Sequence, residues 1–307
     1  MRVSVQQSYT SMTTSFNNLS SELSHVVTQM ATGKSILLPS DDPISATRIS
    51  QLNRQQSAIT QYQSNIDMAS AGMSQQESIL DGVNNELLEV RDDLVQAANG
   101  TNTTDSLDSL GQEIQSVTEA IVSALNYQDE DGHYIFGGTV NDKPPIVAED
   151  NDGDGVTDQY VYQGNDEHRS TTVSNGVEVD TNVSVSDMFG SSLDVLNTLN
   201  SLSQEMQDPS ADPAQVQSDI SNAINVVDDA SDGLNSAIAS LGETQNTMSM
   251  LDSAQTDIAT SNDQMISQLS DLDYGPASIT FTGLQMAMEA TLKTYSKVSE
   301  LNLFSVI

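Results

Sequence analysis

The chain has 307 residues, with 44 Asp and Glu against nine Lys and Arg, and a formal net charge of −35. This balance argues against nucleic acid as a partner, because binding phosphates requires clustered basic side chains. Only 36% of the residues are hydrophobic and 4% aromatic, too few for a large globular core, and the lack of cysteine excludes a disulfide framework and a thiol nucleophile. The charge is uneven: residues 1–75 and 280–307 each balance, so the whole excess lies between them.

The first segment predicts an amphipathic helix. Apolar residues over 5–30 recur at alternating spacings of four and three, the pattern of a coiled-coil seam, until Gly33 and Pro39 interrupt it. The Ser-Asp-Asp-Pro stretch at 40–43 then offers helix-capping oxygens, negative charge for a first turn and a proline suited to that turn. A second helix is therefore predicted over 44–98.

Four further helices are predicted beyond residue 100. One starts near Thr104, a short one covers 193–202, a long one covers 213–272, and the last follows a Tyr-Gly-Pro break at 274–276. The two long helices have nearly equal lengths, about 80 and 85 Å at 1.5 Å per residue. Equal lengths predict an antiparallel pair.

Residues 128–190 have a different, β-rich character. Valine and threonine alternate with polar residues over 177–185, which places β-branched side chains on one face of a strand. An Asn-Gly pair at 175–176 predicts a hairpin turn that joins this strand to residues 168–174. We expect this insertion to project from the helical body.

Together these elements predict a mainly α fold with a β-rich insertion. The helices would form an elongated antiparallel helical bundle or coiled coil built from the N- and C-terminal segments, with a small β domain added. Two isolated terminal helices bury only one narrow seam against each other, so we expect them to be disordered in the monomer and to fold into contacts between subunits. The predicted parts are terminal amphipathic helices at 1–43 and 274–307, a long helical bundle at 44–127 and 191–273, and the insertion at 128–190.

One acidic loop of the insertion has the spacing of calcium ligands. The Asp-x-Asp-x-Asp-Gly stretch at 150–155 matches positions 1, 3, 5 and 6 of a calcium-binding loop, and a further aspartate matches position 9. Position 12 is Val161 instead of a bidentate acid, so a site would need a carboxylate from elsewhere, such as Glu149 or Asp166. Calcium binding and an acidic solvated turn therefore both remain open, and no other cofactor is expected. The candidate ligands are Asp150, Asp152, Asp154 and Asp158.

Residues with catalytic chemistry are scarce, so an enzyme is not expected. His25, His133 and His168 have no second histidine at ligand spacing, and the sequence has neither a phosphate-binding glycine-rich loop nor a nucleophile elbow. The N-terminus lacks the uninterrupted apolar stretch of a secretory signal, and no stretch approaches the length of a membrane span. We expect neither membrane insertion nor a cleaved signal peptide.

Several stretches resemble the flagellin family. They are Met-Arg-Val-Ser-Val-Gln at 1–6, Thr-Gly-Lys at 32–34 followed by Pro-Ser-Asp-Asp-Pro at 39–43, and the terminal stretch 295–304. Within the family, the resemblance is closer to the hook-filament junction branch than to the filament subunits. It rests on these Thr-Gly-Lys and Pro-Ser-Asp-Asp-Pro motifs, on Gly-His-Tyr-Ile-Phe-Gly-Gly-Thr at 132–139 and on Pro-Pro at 144–145. The resemblance covers both helical ends and the start of the insertion.

This resemblance implies a structural protein of the extracellular bacterial flagellum, exported through the flagellar channel without a cleaved signal peptide. It implies an adaptor that joins the hook to the filament through coiled-coil packing of its termini. The implied partners are further copies in a homo-oligomeric ring, the proximal hook-associated protein, flagellin and a flagellar export chaperone.

The residues to which we assign assembly lie in the two terminal segments. Lys34, Asp41 and Asp42 lie in the motif loop, where they would order the turn between terminal helix and body, or where the acids would cap the second helix. The expected assembly contacts are Phe16, Leu19, Leu23, Met30, Leu284, Met288, Leu292 and Leu301.

Two other functions compete with the junction role. A flagellin would polymerise into the filament itself. A calcium-dependent surface binding module or adhesin would use residues 128–190 for binding, and the helices would only display them.

Overall fold

The computed structural model describes residues 2–153 and 155–300, which form seven helices and four short strands. A mainly α fold with a small β-rich insertion is therefore confirmed. The strands are β1 (Ile146–Glu149), β2 (Gln159–Tyr162), β3 (Ser170–Ser174) and β4 (Val177–Asp180). The helices are α1 (Arg2–Thr32), α2 (Pro43–Ala97), α3 (Thr104–Leu125), α4 (Val185–Phe189), α5 (Asp194–Gln207), α6 (Pro213–Ser270) and α7 (Tyr274–Glu300).

The strand predicted over 177–185 is shorter than expected. β4 pairs antiparallel with β3 across the predicted Asn-Gly turn, where Gly176 has a positive φ of 72°, but it ends at Asp180. Beyond it, Ser184 caps α4 in a capping box with Asp187, and this local hydrogen bonding turns the chain out of the extended conformation. The prediction of strand beyond Asp180 is therefore wrong.

The chain divides into two compact units. The terminal unit comprises the chain up to Ile59 and from Thr256 onward, and includes α1, α7 and the adjoining ends of α2 and α6. The central unit comprises Thr60–Gln255, with all four strands and the remaining helices.

In the central unit, α2 and α6 run antiparallel, as predicted. Gln63 Nε2 donates to Asp252 Oδ1 (3.1 Å), and Arg91 Nε donates to Asp228 Oδ1 (2.6 Å), so later residues of α2 meet earlier residues of α6. α3 and α5 pack against each other in the same unit. The seam is fully buried at Leu80, Val83, Leu87, Val90 and Leu94 on α2 and at Ile220, Ala223, Val227 and Leu234 on α6.

The insertion is fastened to the long helices of the central unit by hydrogen bonds. Gln76 on α2 donates to the Thr181 carbonyl (3.1 Å) and accepts from the Val183 N–H (3.1 Å), while Gln255 Nε2 on α6 donates to the Val173 carbonyl. Both glutamines are buried seam residues, and a buried amide needs hydrogen-bond partners. The two side chains therefore tie the backbone around the β3–β4 hairpin to the helical core.

In the terminal unit, α1 packs against α7, and the linkers at their ends are joined. Ser35 N donates to the Ser270 carbonyl (2.7 Å), and Leu272 N donates to the Gly33 carbonyl (2.8 Å). Gly33 has a φ of 69°, a conformation that favours glycine. The expected disorder of the terminal helices in an isolated monomer stays a prediction for hydrogen exchange.

Candidate functional site

The predicted assembly contacts that the structure describes lie on α1 and α7, which pack against each other. Tyr9 and Tyr295 meet edge to face there, with ring centroids 5.7 Å apart. Leu292 is half exposed, and Leu301 lies outside the described residues. The seam residues that are half-buried are Phe16, Leu19, Leu23 and Met30 on α1 and Leu284 and Met288 on α7.

A second set of apolar residues in the terminal unit is exposed to solvent, and the sequence reasoning missed it. Ile279 is 76% exposed and Met286 is 62% exposed. They are seven residues apart, about two helical turns, so they lie on the same side of α7. Leu38, in the loop between α1 and α2, is 58% exposed, and Ile44, at the start of α2, is 84% exposed. Single exposed apolar residues are ordinary. Nine large apolar residues of the terminal unit are exposed among those described, these four most of all, and we expect another molecule to cover them. We call these four residues the exposed apolar set.

The exposed apolar set lies in the nearly neutral part of the chain. Segments 1–59 and 256–307 together carry nine acids and six bases, whereas residues 60–255 carry 35 acids and three bases. Like-charge repulsion between copies would therefore arise mainly from the central unit.

Asp41 orders the motif loop. Its Oδ2 accepts hydrogen bonds from the backbone N–H groups of Leu38 (2.9 Å) and Leu37 (3.0 Å), and these bonds lower the pKa of the carboxyl. His25 on α1 lies beside it, with Nε2 3.9 Å from the same oxygen. Lys34 forms an isolated β-bridge with Asp271.

Asp42 caps α2, which begins at Pro43. Its Oδ2 accepts from the Ser45 hydroxyl (2.6 Å), and its Oδ1 accepts from the N–H groups of Ile44 (3.1 Å) and Ser45 (3.2 Å). These bonds, chiefly the one from the hydroxyl, lower the pKa of Asp42. Asp41 therefore orders the turn, and Asp42 caps the helix.

The glycines of the 132–139 stretch permit a close approach of two loops. The Thr139 N–H donates to Asn165 Oδ1 (2.9 Å), and Asn165 Nδ2 donates back to the Thr139 hydroxyl (2.7 Å). Gly138 has a φ of 74°, and a Cβ at this position would clash with the carbonyl oxygen of Asn165. The packing requires glycine here.

The acidic loop brings three of its four predicted ligands together. Carboxylate oxygens of Asp150, Asp152 and Asp158 lie within 4.8 Å of one another, while Asp154 lies outside the described residues. Asp150 also accepts from the N–H groups of two loop glycines (2.6 and 2.9 Å), which fixes its orientation. Within the described chain, neither Glu149 nor Asp166 belongs to this group.

A second group with possible metal ligands was missed from the sequence. Asp129, Asp131 and His133 place one ligand atom each within 4.8 Å of one another. Asp129 Oδ1 accepts from the N–H groups of His133 (2.8 Å) and Asp131 (3.0 Å), so the group doubles as a turn. The alternating acid, acid, histidine spacing was the available signal.

Asp93 on α2 is a carboxyl group in an unfavourable environment. Burial, followed by the nearby charges of Glu113, Glu89 and Asp92, raises its pKa from 3.8 to about 6. Its Oδ2 is buried and has no hydrogen-bond partner among the described residues. The folded chain therefore favours the protonated form of this group.

The pKa values of two further acids of the central unit are also raised. Burial raises the pKa of Glu86, whose Oε2 is also buried with no hydrogen-bond partner, and Glu89 adds repulsion. Burial also raises the pKa of Glu205 on α5, which shares a hydrogen bond with Asp219 on α6.

We expect the variant Asp93→Asn to stabilise the central unit above about pH 6. A group whose pKa is raised by folding stabilises the folded state fully below its unfolded pKa, and this stabilisation is lost as the pH rises through the folded pKa. For Asp93 the loss runs from about pH 3.8 to about pH 6. Since the group is partly exposed, solvent screening reduces the expected gain to about 1 kcal/mol near pH 8. Urea unfolding at several pH values measures it. Asp81→Asn, an exposed charge on the same helix, is the control, and an equal gain there would contradict the prediction.

None of the described helices has the length and hydrophobicity to cross a membrane.

Known proteins match this chain over its whole length. The family model for the bacterial flagellin N-terminal helical region matches residues 3–141. The flagellar hook-associated protein 3 of Escherichia coli is 28% identical over 319 aligned positions, covering 100% of this chain and 99% of that protein.

Solved structures agree with the sequence comparisons. A Vibrio parahaemolyticus protein described as a flagellar hook-associated protein is 31% identical, with a TM-score of 0.67, over 75% of this chain and 100% of that one. The hook-associated protein-3 of Legionella pneumophila shares the fold at 14% identity, with a TM-score of 0.63 over 72% of this chain and 98% of that one. These similarities show that the chain belongs to the flagellar hook-associated protein 3 branch of the flagellin family, whose members are structural proteins of the flagellum and not enzymes.

Proposed function

We propose that this chain is the adaptor that joins the flagellar hook, through the proximal hook-associated protein, to the flagellin filament. In this role the terminal helices of several copies pack into a ring, and the same helices contact flagellin on the other side. The observation that carries the proposal is the exposed apolar set in a terminal unit of low net charge. Coiled-coil packing of the termini would place that set against neighbouring chains.

The energetics support this assignment. Covering a large apolar side chain contributes roughly 1.5 to 3 kcal/mol before the costs of association and ordering. Four such side chains per copy, repeated around a ring, would provide a driving force that one isolated copy cannot use. The central unit, with 35 acids against three bases, would face water, where its charge is solvated and the repulsion between copies is screened.

The same surface requires protection before assembly. We assign that protection to the flagellar export chaperone, which would cover the apolar residues of the termini until export. The chain would reach the extracellular flagellum through the flagellar channel with its N-terminus uncleaved. Mass spectrometry of the N-terminal peptide from purified flagella tests this, and a shortened N-terminus would contradict it.

Deletion of the gene tests the junction role. Electron microscopy of the cells, with a blot of the medium for flagellin, should show bare hooks and flagellin lost into the medium, because the filament would have nothing to build on. Bare hooks in cells that make no other flagellin would identify this chain as the filament subunit instead. Intact filaments would overturn the flagellar adaptor and favour a surface binding module.

We also propose that the acidic loop binds calcium. The spacing of a calcium loop and the convergence of Asp150, Asp152 and Asp158 support this. The affinity would be weak, with a dissociation constant of about 10⁻⁴ to 10⁻³ M, because the acid of position 12 is missing.

We therefore expect calorimetry with millimolar calcium to show saturable heat in the native chain and none in Asp158→Asn. The lost carboxylate removes one of the three converging ligands. Asp142→Asn, an exposed acid outside the loop, is the charge-matched control and should bind as the native chain does. Heat that is equal in all three proteins, or absent from all three, would dispose of the site.

A further inference from the structure

A pocket of about 210 Å³ opens between α1 and α7 within the terminal unit, and we call it the seam pocket. Leu292 and Tyr295 have the spacing of the seam, yet they are 49% and 44% exposed, so the packing of α1 leaves this part of α7 uncovered. None of the described lining residues is charged. They are Met12, Thr13 and Phe16 on α1 and Thr291, Leu292 and Tyr295 on α7.

The opposite side of α7 carries a stripe of exposed, uncharged residues. Ile279, Thr282 and Met286 follow one another at spacings of three and four, so they lie along one side of the helix. All three are exposed. At 3.6 residues per turn, Tyr295 lies about 160° around the helix from Ile279 and about 180° from Met286. The stripe and the part of α7 that lines the seam pocket are therefore on opposite sides of one helix.

This arrangement suits a head-to-tail contact between copies of the chain. When two different surfaces of the same molecule fit each other, one copy uses its first surface on the next copy, and its second surface remains available to a third. Such a contact repeats until the rotation closes a ring. A two-fold dimer would instead pair the same surface of both copies.

The size and the charge of the two surfaces support a second copy as the occupant. A volume of about 210 Å³ equals that of roughly seven water molecules, which is room for one large apolar side chain. Charged residues are depleted at the centre of protein interfaces, and both the stripe and the pocket are uncharged. The terminal unit has nine acids and six bases, so two copies meet here with little repulsion.

We propose that the seam pocket binds the Met286 side chain of a second copy, with Ile279 of that copy packing at its edge. The proposal rests on the adaptor function, because it names the surface that covers the exposed side of α7 in the ring. It also gives the ring a direction, since each copy provides Met286 on one side and the pocket on the other.

Cross-linking in isolated flagella tests this contact, because the chain has no cysteine of its own. The flagella come from cells whose only copy carries Thr13→Cys and Thr282→Cys. Thr13 is an exposed residue of the pocket lining, and Thr282 lies one turn from Met286 in the stripe, so both changes leave the apolar side chains in place. A short, flexible bis-maleimide joins neighbouring cysteines, and a denaturing gel is blotted for this chain.

We expect a ladder of covalent dimers, trimers and longer multimers from the double variant, because every copy carries both halves of the contact. Each single variant should stay monomeric, since a head-to-tail contact brings no two like cysteines together. Cells that make both single variants should give dimers and nothing longer. The control, Leu88→Cys with Val95→Cys on α2 of the central unit, should also stay monomeric.

Methyl NMR of the purified native chain is a second measurement that needs no substitution. Met12 lines the pocket and Met286 enters it, so both methyl signals should shift together as the protein concentration rises to the millimolar range. Met73 is buried in the central unit and should not shift. A shift of Met286 without Met12, or no shift of either, would overturn the proposal.

Two cross-linking results would also overturn it. Normal filaments without multimers from the double variant would assign the pocket to another flagellar protein, and dimers from a single variant would indicate a two-fold contact. Deletion of the gene decides the adaptor role separately. Bare hooks after deletion, with no ladder here, would keep the adaptor and reject this contact, whereas intact filaments after deletion would reject the adaptor itself.

Discussion

Cells whose only copy of this protein carries Ile279→Asp and Met286→Asp are expected to have bare hooks and to lose flagellin into the medium. Both side chains are exposed on one side of α7, so the substitutions leave the packing of α7 against α1 in place. In an assembled ring, each variant residue would bury an unpaired carboxylate, at a cost of several kcal/mol per ion. Repeated in every copy, that cost exceeds what the remaining contacts supply. Electron microscopy and a flagellin blot measure the outcome.

The matched control is Leu88→Asp with Val95→Asp. These two residues are also half exposed and seven apart on a helix, but they lie on α2 in the central unit. They should leave filaments normal, and circular dichroism should show unchanged helix content for both double variants. Normal filaments with the α7 variant, or bare hooks with both, would refute the assignment of assembly to the exposed apolar set.

The helices were predictable because their signals are local. A seam residue such as Leu87 is fully buried, and its apolar neighbours at spacings of three and four were visible in the sequence. Pro43 and Pro213 mark helix starts in both the sequence and the structure, since a proline suits the first helical turn. Periodicity and capping together therefore located the long helices to within a few residues.

The insertion was less predictable because its contacts are not local. β1 and β2 have four residues each, and Ile146 pairs with Tyr162 across the acidic loop, a pairing that no short pattern indicates. The regular alternation over 177–185 predicted a longer strand, but the capping box at Ser184 starts α4 instead. The hydrogen bonds of Gln76 and Gln255 to the insertion could be found only from the structure. In the sequence these two glutamines were only polar residues in a seam.

The exposed apolar set could not be found by periodicity, and the reason is physical. A search for seam spacing selects residues that pack inside the chain, such as the half-buried Phe16 of α1 and Leu284 of α7. Ile279 and Met286 lie outside the spacing of that seam, so only the packed pair of helices reveals that they stay uncovered. We therefore expect the residues that contact a partner to be those that the packed chain leaves uncovered.

Gly138→Ala is expected to destabilise the central unit by roughly 2 to 5 kcal/mol. The residue combines a positive φ of 74° with a Cβ position that clashes with the Asn165 carbonyl and approaches the Glu167 carbonyl at 2.9 Å. The left-handed backbone costs roughly 1 to 2 kcal/mol for a residue with a side chain, and displacing backbone atoms from a packed turn adds roughly 1 to 3 kcal/mol. The loss of glycine would also separate Thr139 from Asn165, whose paired hydrogen bonds close the turn.

Gly132→Ala isolates the clash from the backbone strain. Gly132 has a similar φ of 80°, but a Cβ there would meet no atom within 4 Å. This variant should therefore cost only the backbone term of roughly 1 to 2 kcal/mol. Urea unfolding of both variants, followed by circular dichroism, gives the difference, since equal slopes and shifted midpoints report on stability alone. Equal destabilisation of the two variants would show that the close approach of residues 138 and 165 contributes nothing, and that the glycines of this stretch serve only the turn geometry.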